Sequence, residues 1–295
     1  MLKKSLVSLT VLTLLSAAPS VRALEWSDNS FHLSYGTAYR EPFNPQNISK
    51  TTLTYQHVDG YKWGSNFLNI NFLYSTSGEG DNVQGGGVPG VAVLPARSIT
   101  TAGAMEVYAV YRHTLSLNKV TSSKTFAFGP VVRDVGIVAG IDVNTKNHAF
   151  SSRKIMPIGG VQLALNVPGF LNVELLANKE WGVNGAVGKD TSFDVTPTFA
   201  AAWGIPVYGP VTFEGWGTVN LPKGNGGIVT QPNTKTEVHL YPKLMVDAGQ
   251  FFGSKGYQVG VGFEYWLNKF GSPHYKDDTG GSYAKTVFGE IAIHL

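Results

Sequence analysis

VTFEGWGTVNL (residues 211–221), EVHLYPKLMVD (237–247) and YQVGVGFEYWL (257–267) are three neighbouring stretches in which apolar and polar side chains alternate with a period of two. This alternation is typical of a half-buried β-strand. Each stretch has eleven residues, about twice the length of an ordinary strand in a globular protein. A tilted strand that crosses a lipid bilayer needs about 9–11 residues. The three stretches therefore predict strands of a transmembrane β-barrel.

The same alternation recurs along the rest of the chain, and helical periodicity is almost absent. Further strands are predicted at residues 31–40, 50–58, 65–75, 104–117, within 124–143, and at 155–167, 170–181, 193–203 and 283–295. Together these segments give about twelve strands, an even number. The predicted fold is an all-β, up-and-down antiparallel barrel formed by a single domain.

The connections between the predicted strands alternate between short and long. Short turns are predicted near Asp59, Asn118, Pro168, Pro206 and Phe251, and longer loops near Pro45, Gly86, Asn147, Gly185, Gly226 and Asp277. Outer-membrane barrels sort their connections in this way, with short turns and both termini on the periplasmic side. The longest connection, residues 76–103, is rich in glycine but contains the apolar run Val91–Leu94, so we expect part of it to pack at the barrel mouth or inside it.

The N-terminal segment predicts export. Lys3 and Lys4 precede an apolar run, and the small residues Val21 and Ala23 stand where a signal peptidase requires them, so residues 1–23 are predicted to be a signal peptide. The barrel domain is then residues 24–295. Without the first 23 residues, which hold three of the 23 Lys and Arg, the chain carries 20 basic and 20 acidic residues. A neutral chain gives no reason to expect a nucleic-acid partner. The absence of Cys excludes disulfides and a lipoprotein anchor.

Large aromatic residues lie on the apolar faces or near the ends of the predicted strands. They are Tyr35, Tyr39, Tyr111, Trp181, Trp203, Tyr208, Tyr257, Tyr265 and Tyr283. Aromatic residues at these places form girdles at the two membrane interfaces of outer-membrane barrels. Ordinary core aromatics are the alternative interpretation.

If the apolar faces contact lipid, the polar faces line a lumen, which twelve strands would make narrow. The predicted pore-lining residues are Phe67, Glu106, Tyr108, Arg112, Glu214, Trp216, Glu237, Tyr241, Lys243, Glu264, Trp266 and Phe288. Acidic residues outnumber basic ones on these faces, which predicts a preference for cations and neutral polar solutes over anions. Aromatic rings beside hydrogen-bonding groups suit a planar, uncharged molecule such as a nucleobase or a sugar. Alternatively, the aromatic side chains fill space and the charges pair across the lumen.

Three stretches resemble the nucleoside-specific channel-forming outer-membrane family, Tsx, and its OmpK-type relatives. They are YQHVDGYKWGSNFLNINFLY (residues 55–74), FAFGPVVRDVGIVAGIDVNTKNHAF (126–150) and VPGFLNVELLANKEW (167–181). The resemblance implies a twelve-stranded barrel in the outer membrane of a Gram-negative bacterium. It also implies a narrow pore for nucleosides, lined by aromatic and ionisable residues, with no cofactor. The binding residues of the family have no residue-by-residue match in this sequence.

The expected partners are outer-membrane lipid, a small polar solute and the barrel-assembly machinery. Residues 283–295 keep the alternating pattern of a C-terminal assembly signal, but the chain ends in Leu295, whereas outer-membrane barrels usually end in Phe or Trp.

Enzymatic interpretations are weakly supported. His113 and Ser116 could suggest an outer-membrane phospholipase, but a spacing of three places them on opposite faces of a strand. The segment Gly78–Gly90 lacks the Gly-Lys-Ser/Thr ending of a phosphate-binding loop. The seven His show no metal-ligand spacing, and Asp277 and Asp278 could at most bind calcium weakly in a solvated loop. We therefore expect a passive, selective channel and no enzyme. The alternative is a surface adhesin or phage receptor with an occluded barrel.

Overall fold

A computed structural model describes residues 24–76, 78–79, 103–147, 152–184, 189–228 and 233–295. Its strands are β1 (Trp26–Tyr39), β2 (Ile48–Tyr61), β3 (Gly64–Ser75), β4 (Met105–Ser116), β5 (Val132–Lys146), β6 (Arg153–Leu165), β7 (Phe170–Asn178), β8 (Trp181–Asn184), β9 (Lys189–Ser192), β10 (Thr196–Tyr208), β11 (Val211–Asn220), β12 (Glu237–Asp247), β13 (Tyr257–Leu267) and β14 (Tyr283–His294). One short helix, α1 (Leu117–Thr121), follows β4, and 3-10 turns lie at Ala248–Phe252, Lys269–Gly271 and His274–Lys276. The predicted signal peptide and most of the 76–103 loop lie outside the described residues.

Twelve of these strands form one closed antiparallel barrel. Neighbours along the chain pair with each other, and β1 pairs with β14, so that Phe31 lies opposite Ile293. The strands β8 and β9 form a hairpin beyond the barrel wall, and β8 extends the sheet from the first residues of β6. This hairpin is inserted between β7 and β10 in the sequence but lies outside the barrel wall, so β7 pairs directly with β10. The predicted twelve-stranded, up-and-down barrel is confirmed.

The alternation in the sequence becomes an alternation between the outer wall and the lumen. On β14 the outward side chain of Val287 is 63% exposed, whereas its neighbour Phe288, which points inward, is 1% exposed. Exposed Leu33, Phe72 and Leu244 show the same pattern on other strands. The result is a wide apolar band around the barrel, a surface that is stable in contact with lipid. No helix among the described residues is long and apolar enough to span a membrane.

Two aromatic residues lie elsewhere than the alternation predicts. The pairing of β1 with β2 shifts register between Gly36 and Tyr39. A bulge of this kind moves the next side chain to the other face, so Tyr39 is buried on the lumen side and is not part of an outer girdle. Trp181 also lies outside the predicted seventh strand, because β7 ends at Asn178 and Trp181 begins β8.

The connections divide between the two ends of the barrel, with one exception to the prediction. Short connections follow β2, β6, β10 and β12, at the end of the barrel that also holds the first and last described residues, Leu24 and Leu295. We call this the turn end and the opposite end the loop end. The connection after β4, predicted as a short turn, instead covers residues 117–131 and contains α1. Ser116 caps α1 through its hydroxyl, which also donates to Asp134 at 2.5 Å, and the Asn118 amide N–H donates to the same carboxylate at 3.2 Å.

Candidate functional site

The barrel encloses a cavity of 3130 Å³ that is lined by residues of all twelve barrel strands. Eleven predicted pore residues contact this lumen: Phe67, Glu106, Tyr108, Arg112, Glu214, Trp216, Glu237, Tyr241, Lys243, Glu264 and Trp266. Phe288 is the exception, although it points inward. Its ring covers Gly262, a residue without a side chain, and stacks behind Tyr241 at 4.5 Å between ring centroids. Phe288 is therefore part of the filling behind the lumen surface.

The charge of the lumen differs from the prediction. Among the described residues that line it, twelve are acidic and twelve are Lys or Arg, so the predicted excess of acids is wrong. The basic residues that the prediction omitted are Lys50, Lys119, Lys124, Arg133, Lys146, Arg153, Lys154, Lys223, Lys269 and Lys276. Most of them lie at strand ends or in loops, where alternation gives no information. A balanced lumen repels neither sign of charge and suits a neutral solute.

Five rings on adjacent strands form a continuous surface that we call the aromatic wall: Trp216, His239, Tyr241, Trp266 and Phe288. Trp216 stacks on Tyr241 with ring centroids 5.6 Å apart and planes 14° apart. His239 stacks on Trp266 at 3.8 Å and meets Trp216 edge-on at 4.6 Å. Offset and edge-on contacts of this kind stabilise aromatic clusters. The alternation along β12 places His239 on the lumen face. It was not among the predicted pore-lining residues, because no motif in the sequence distinguishes it from the other His residues.

Ion pairs fill the lumen next to the aromatic wall. Lys243 Nζ lies 2.5 Å from Glu290 Oε1 and 2.9 Å from Glu214 Oε1. His32 Nδ1 lies 2.9 Å from the same oxygen of Glu290, and His32 Nε2 lies 2.9 Å from Ser30 Oγ. Most inward side chains of β1 and β14, such as Ser30 and Thr286, are almost completely buried. This side of the lumen is therefore densely packed.

The opposite side, formed by β4, β5 and β6, is polar and more accessible. Arg112 Nη1 donates to Asp142 at 2.6 Å, and the Tyr108 hydroxyl donates to the same carboxylate at 2.8 Å. Lys154 Nζ donates to the Tyr108 hydroxyl at 2.8 Å and lies 4.5 Å from the centroid of its ring. Asp142 is buried, whereas Tyr108, Arg112 and Lys154 are only partly buried. They present hydroxyl, guanidinium and ammonium groups to a solute in the lumen.

Between these two sides lies a recess that we call the Trp216 pocket. It consists of Trp216 on β11, Ala200 and Ala202 on β10, and Asn172 and Glu174 on β7. Ala202 lies opposite both Trp216 and Asn172, so these two residues are two strand spacings apart, about 10 Å. The alanines between them leave the space open, and the Trp216 indole is 39% exposed. A planar ring could stack on the exposed part of the indole at this place.

The polar groups of the Trp216 pocket have unused hydrogen-bonding capacity. Asn172 Oδ1 is buried without a donor in the part of the chain that the structure describes. Glu174 likewise makes no hydrogen bond or ion pair with a described residue. A buried acceptor without a partner is costly. Water or a solute with N–H groups would satisfy both side chains.

Hydrogen bonds to Asp277 join two loops at the loop end. Its carboxylate accepts from the Phe43 amide at 3.0 Å, from the Ser282 amide at 2.7 Å and from the Thr279 hydroxyl at 2.5 Å. Burial alone would raise the pKa of Asp277, but these hydrogen bonds outweigh burial and lower it. The loop that follows β13 is thus attached to the loop that follows β1. Asp277 is occupied by protein donors, so calcium binding there is disfavoured.

A second polar cluster lies on the outer wall near the turn end. His113 Nδ1 and the Tyr111 hydroxyl contact Asn66 Oδ1 at 2.9 and 2.8 Å. Asn66 also donates to Asp59 at 2.8 Å, and Asp59 lies 3.0 Å from His57 Nε2. Polar groups on a lipid-facing wall need partners within the protein, and this network supplies them. No described serine joins the cluster, and no described group of three or more His, Asp or Glu could hold a metal ion.

No protein-family model matches the chain, and no curated protein is detectably similar to it. Solved structures do match its fold. An outer membrane channel from Pseudomonas putida F1 superimposes with a TM-score of 0.51 at 10% identity, covering 95% of this chain and 100% of that chain. The NanC porin gives a TM-score of 0.50 at 11% identity, covering 90% of this chain and 100% of that chain. At such low identity the likeness concerns the fold, and this chain has the barrel architecture found in outer-membrane channels.

Proposed function

We propose that this chain is an outer-membrane channel for the passive, selective uptake of small polar solutes, and that nucleosides are among them. The observation that carries the proposal is the Trp216 pocket inside a lumen lined by all twelve barrel strands. The apolar outer band is the surface that would contact lipid. By this proposal both termini are periplasmic, and the barrel-assembly machinery inserts the chain.

A nucleoside has the chemistry that the Trp216 pocket can bind. Its base is planar and can stack on the free face of the Trp216 indole. Its exocyclic and ring N–H groups can donate to Asn172 Oδ1, which receives no hydrogen bond from a described residue, and to the Glu174 carboxylate, which lines the same cavity. Its ribose hydroxyls can form hydrogen bonds with other polar side chains that line the lumen. Because a nucleoside is uncharged, the balanced lumen charge does not oppose its entry.

The test is conductance across planar lipid bilayers by the purified, full-length protein. We expect ion conductance that falls in a saturable way when adenosine or another nucleoside is added. Ribose at the same concentration lacks the planar base and should block less. No conductance from protein that migrates as a folded barrel on unheated gels would refute the channel. Conductance that nucleosides and ribose affect equally would refute the nucleoside preference.

The second candidate is a surface protein, an adhesin or a phage receptor, with an occluded barrel. The densely packed side of the lumen favours it, because the inward residues of β1 and β14 narrow the lumen there. The same bilayer measurement separates the two candidates. An occluded barrel would conduct no ions in any salt.

A further inference from the structure

Six charged residues at the loop end of the lumen contact one another in a network that we call the charge bridge. Its members are Glu41, Lys50, Glu79, Glu106, Lys146 and Lys269. Their side chains are nearly all buried, and the three lysines balance the three glutamates. The network draws on β2, β4, β5 and three loops. Residues this far apart in sequence meet only because the barrel closes.

The charge bridge crosses the full width of the lumen. Lys146 is the last residue of β5, and Lys269 lies two residues after the end of β13. In the order of the closed barrel, five strands separate β5 from β13 in either direction, so these two lysines start from opposite walls. Both reach the same atom, Glu41 Oε1, at 3.6 Å from Lys146 and 3.2 Å from Lys269. Glu41 therefore links lysines that start from opposite walls of the barrel.

Glu41 is held firmly in this position. Lys50 Nζ donates to Glu41 Oε1 at 2.6 Å, which makes it the third ammonium group at one oxygen. Burial alone would raise the pKa of Glu41, but Lys146, Lys269 and Lys50 outweigh it and keep the pKa well below its ordinary value. The backbone beside it is also fixed, because Lys269 Nζ donates to the Arg40 carbonyl at 2.8 Å.

We propose that Glu41 is the residue that determines charge selectivity in this channel. The proposal rests on the proposed channel function and concerns the path of the solute past the charge bridge. Glu41 is one carboxylate among three lysines, and its charge brings the six-residue network to neutrality. A neutral network lets an uncharged polar solute pass without favouring ions of either sign.

Substitutions that remove one charge from the charge bridge should change the ion selectivity of the channel, so the proposal can be tested. Replacement of Glu41 by Gln leaves three ammonium groups facing two carboxylates, and replacement of Lys269 by Gln leaves the opposite imbalance. A unit charge about 7 Å from a passing ion changes its energy enough, even at the dielectric constant of water, to alter permeability about threefold. The two replacements should therefore shift selectivity in opposite directions.

The experiment measures reversal potentials in a potassium chloride gradient for the wild type, E41Q, K269Q and the double variant E41Q/K269Q. We expect the ratio of potassium to chloride permeability to fall at least about threefold in E41Q and to rise by a similar factor in K269Q. The double variant should return to the wild-type ratio. The control is D190N, which removes one exposed carboxylate from the β8–β9 hairpin beyond the barrel wall and should leave the ratio unchanged.

The outcomes separate this proposal from the channel itself. If the wild type does not conduct, the proposed function fails. If the wild type conducts and neither single variant shifts the ratio, or both shift it in the same direction, the role of Glu41 is refuted while the channel remains. If E41Q does not fold, as judged by its migration on unheated gels, K269Q alone decides. A wild-type ratio in folded K269Q would then refute the proposal.

Discussion

Replacement of Trp216 by Ala should weaken nucleoside block of the channel. One face of the indole already packs on Tyr241, and 39% of the residue remains exposed to the lumen. A base that stacks on the free face would gain about 1–3 kcal/mol. Loss of this contact should raise the concentration of nucleoside that blocks half of the current by a factor of about 5 to 150.

The measurement is a titration of single-channel or multi-channel current with adenosine, for W216A, W216F and the wild type. W216F keeps a smaller ring and should fall between the other two. The matched control is F72A, because Phe72 is also an exposed aromatic residue but points outward from β3 toward lipid. Block by ribose should change in none of the variants. The same half-blocking adenosine concentration in W216A and the wild type would refute the stacking argument.

Two further predictions concern stability. In D277N the carboxylate that joins the two loops is lost, and hydrogen exchange at the Phe43 and Ser282 amides should accelerate by about tenfold or more. Because the pKa of Asp277 is lowered in the folded protein, its carboxylate stays charged, and the two wild-type amides should stay protected from exchange from pH 7 down to about 4. Loss of this protection between pH 6 and 5 would contradict the assignment. In G262A the new Cβ would lie 2.1 Å from the Phe288 ring and should destabilise the barrel by about 1–3 kcal/mol, whereas G289A, with nothing within 4 Å of its Cβ, should unfold in urea like the wild type. Equal urea midpoints for the two variants would show that Phe288 can move away.

The barrel was predictable from the sequence because the rule that creates it is local. Each strand of a lipid-facing barrel must alternate, so segments such as β11 and β13 carry the whole signal within eleven residues. The same alternation fixes which side chains point inward, and this is why Trp216, Tyr241 and Lys243 were found. The prediction for Tyr39 was wrong because a β-bulge reverses which residues face the lumen, and no sequence motif indicates this bulge.

The depth of a side chain within the lumen was not predictable. Phe288 and Tyr241 both point inward, but only the packing of neighbouring strands decides that one covers the other. The charge bridge was missed for a similar reason. Glu41 and Lys269 lie in the loops that follow β1 and β13, on the same side of the barrel, and their contact depends on how these loops fold over the barrel mouth. Asn172 likewise gains its significance only from the alanines of the neighbouring strand.

The packed side of the lumen has a consequence for how such channels can vary. The number of strands sets the circumference of the wall, but here the width of the free path is set by the side chains of β1 and β14 and by the rings behind Tyr241. A barrel of this kind can widen or narrow its pore by exchanging buried residues, while its strand count, its register and its lipid-facing band stay the same. Pore size and barrel size can therefore evolve separately, and a twelve-stranded wall can serve solutes of quite different dimensions.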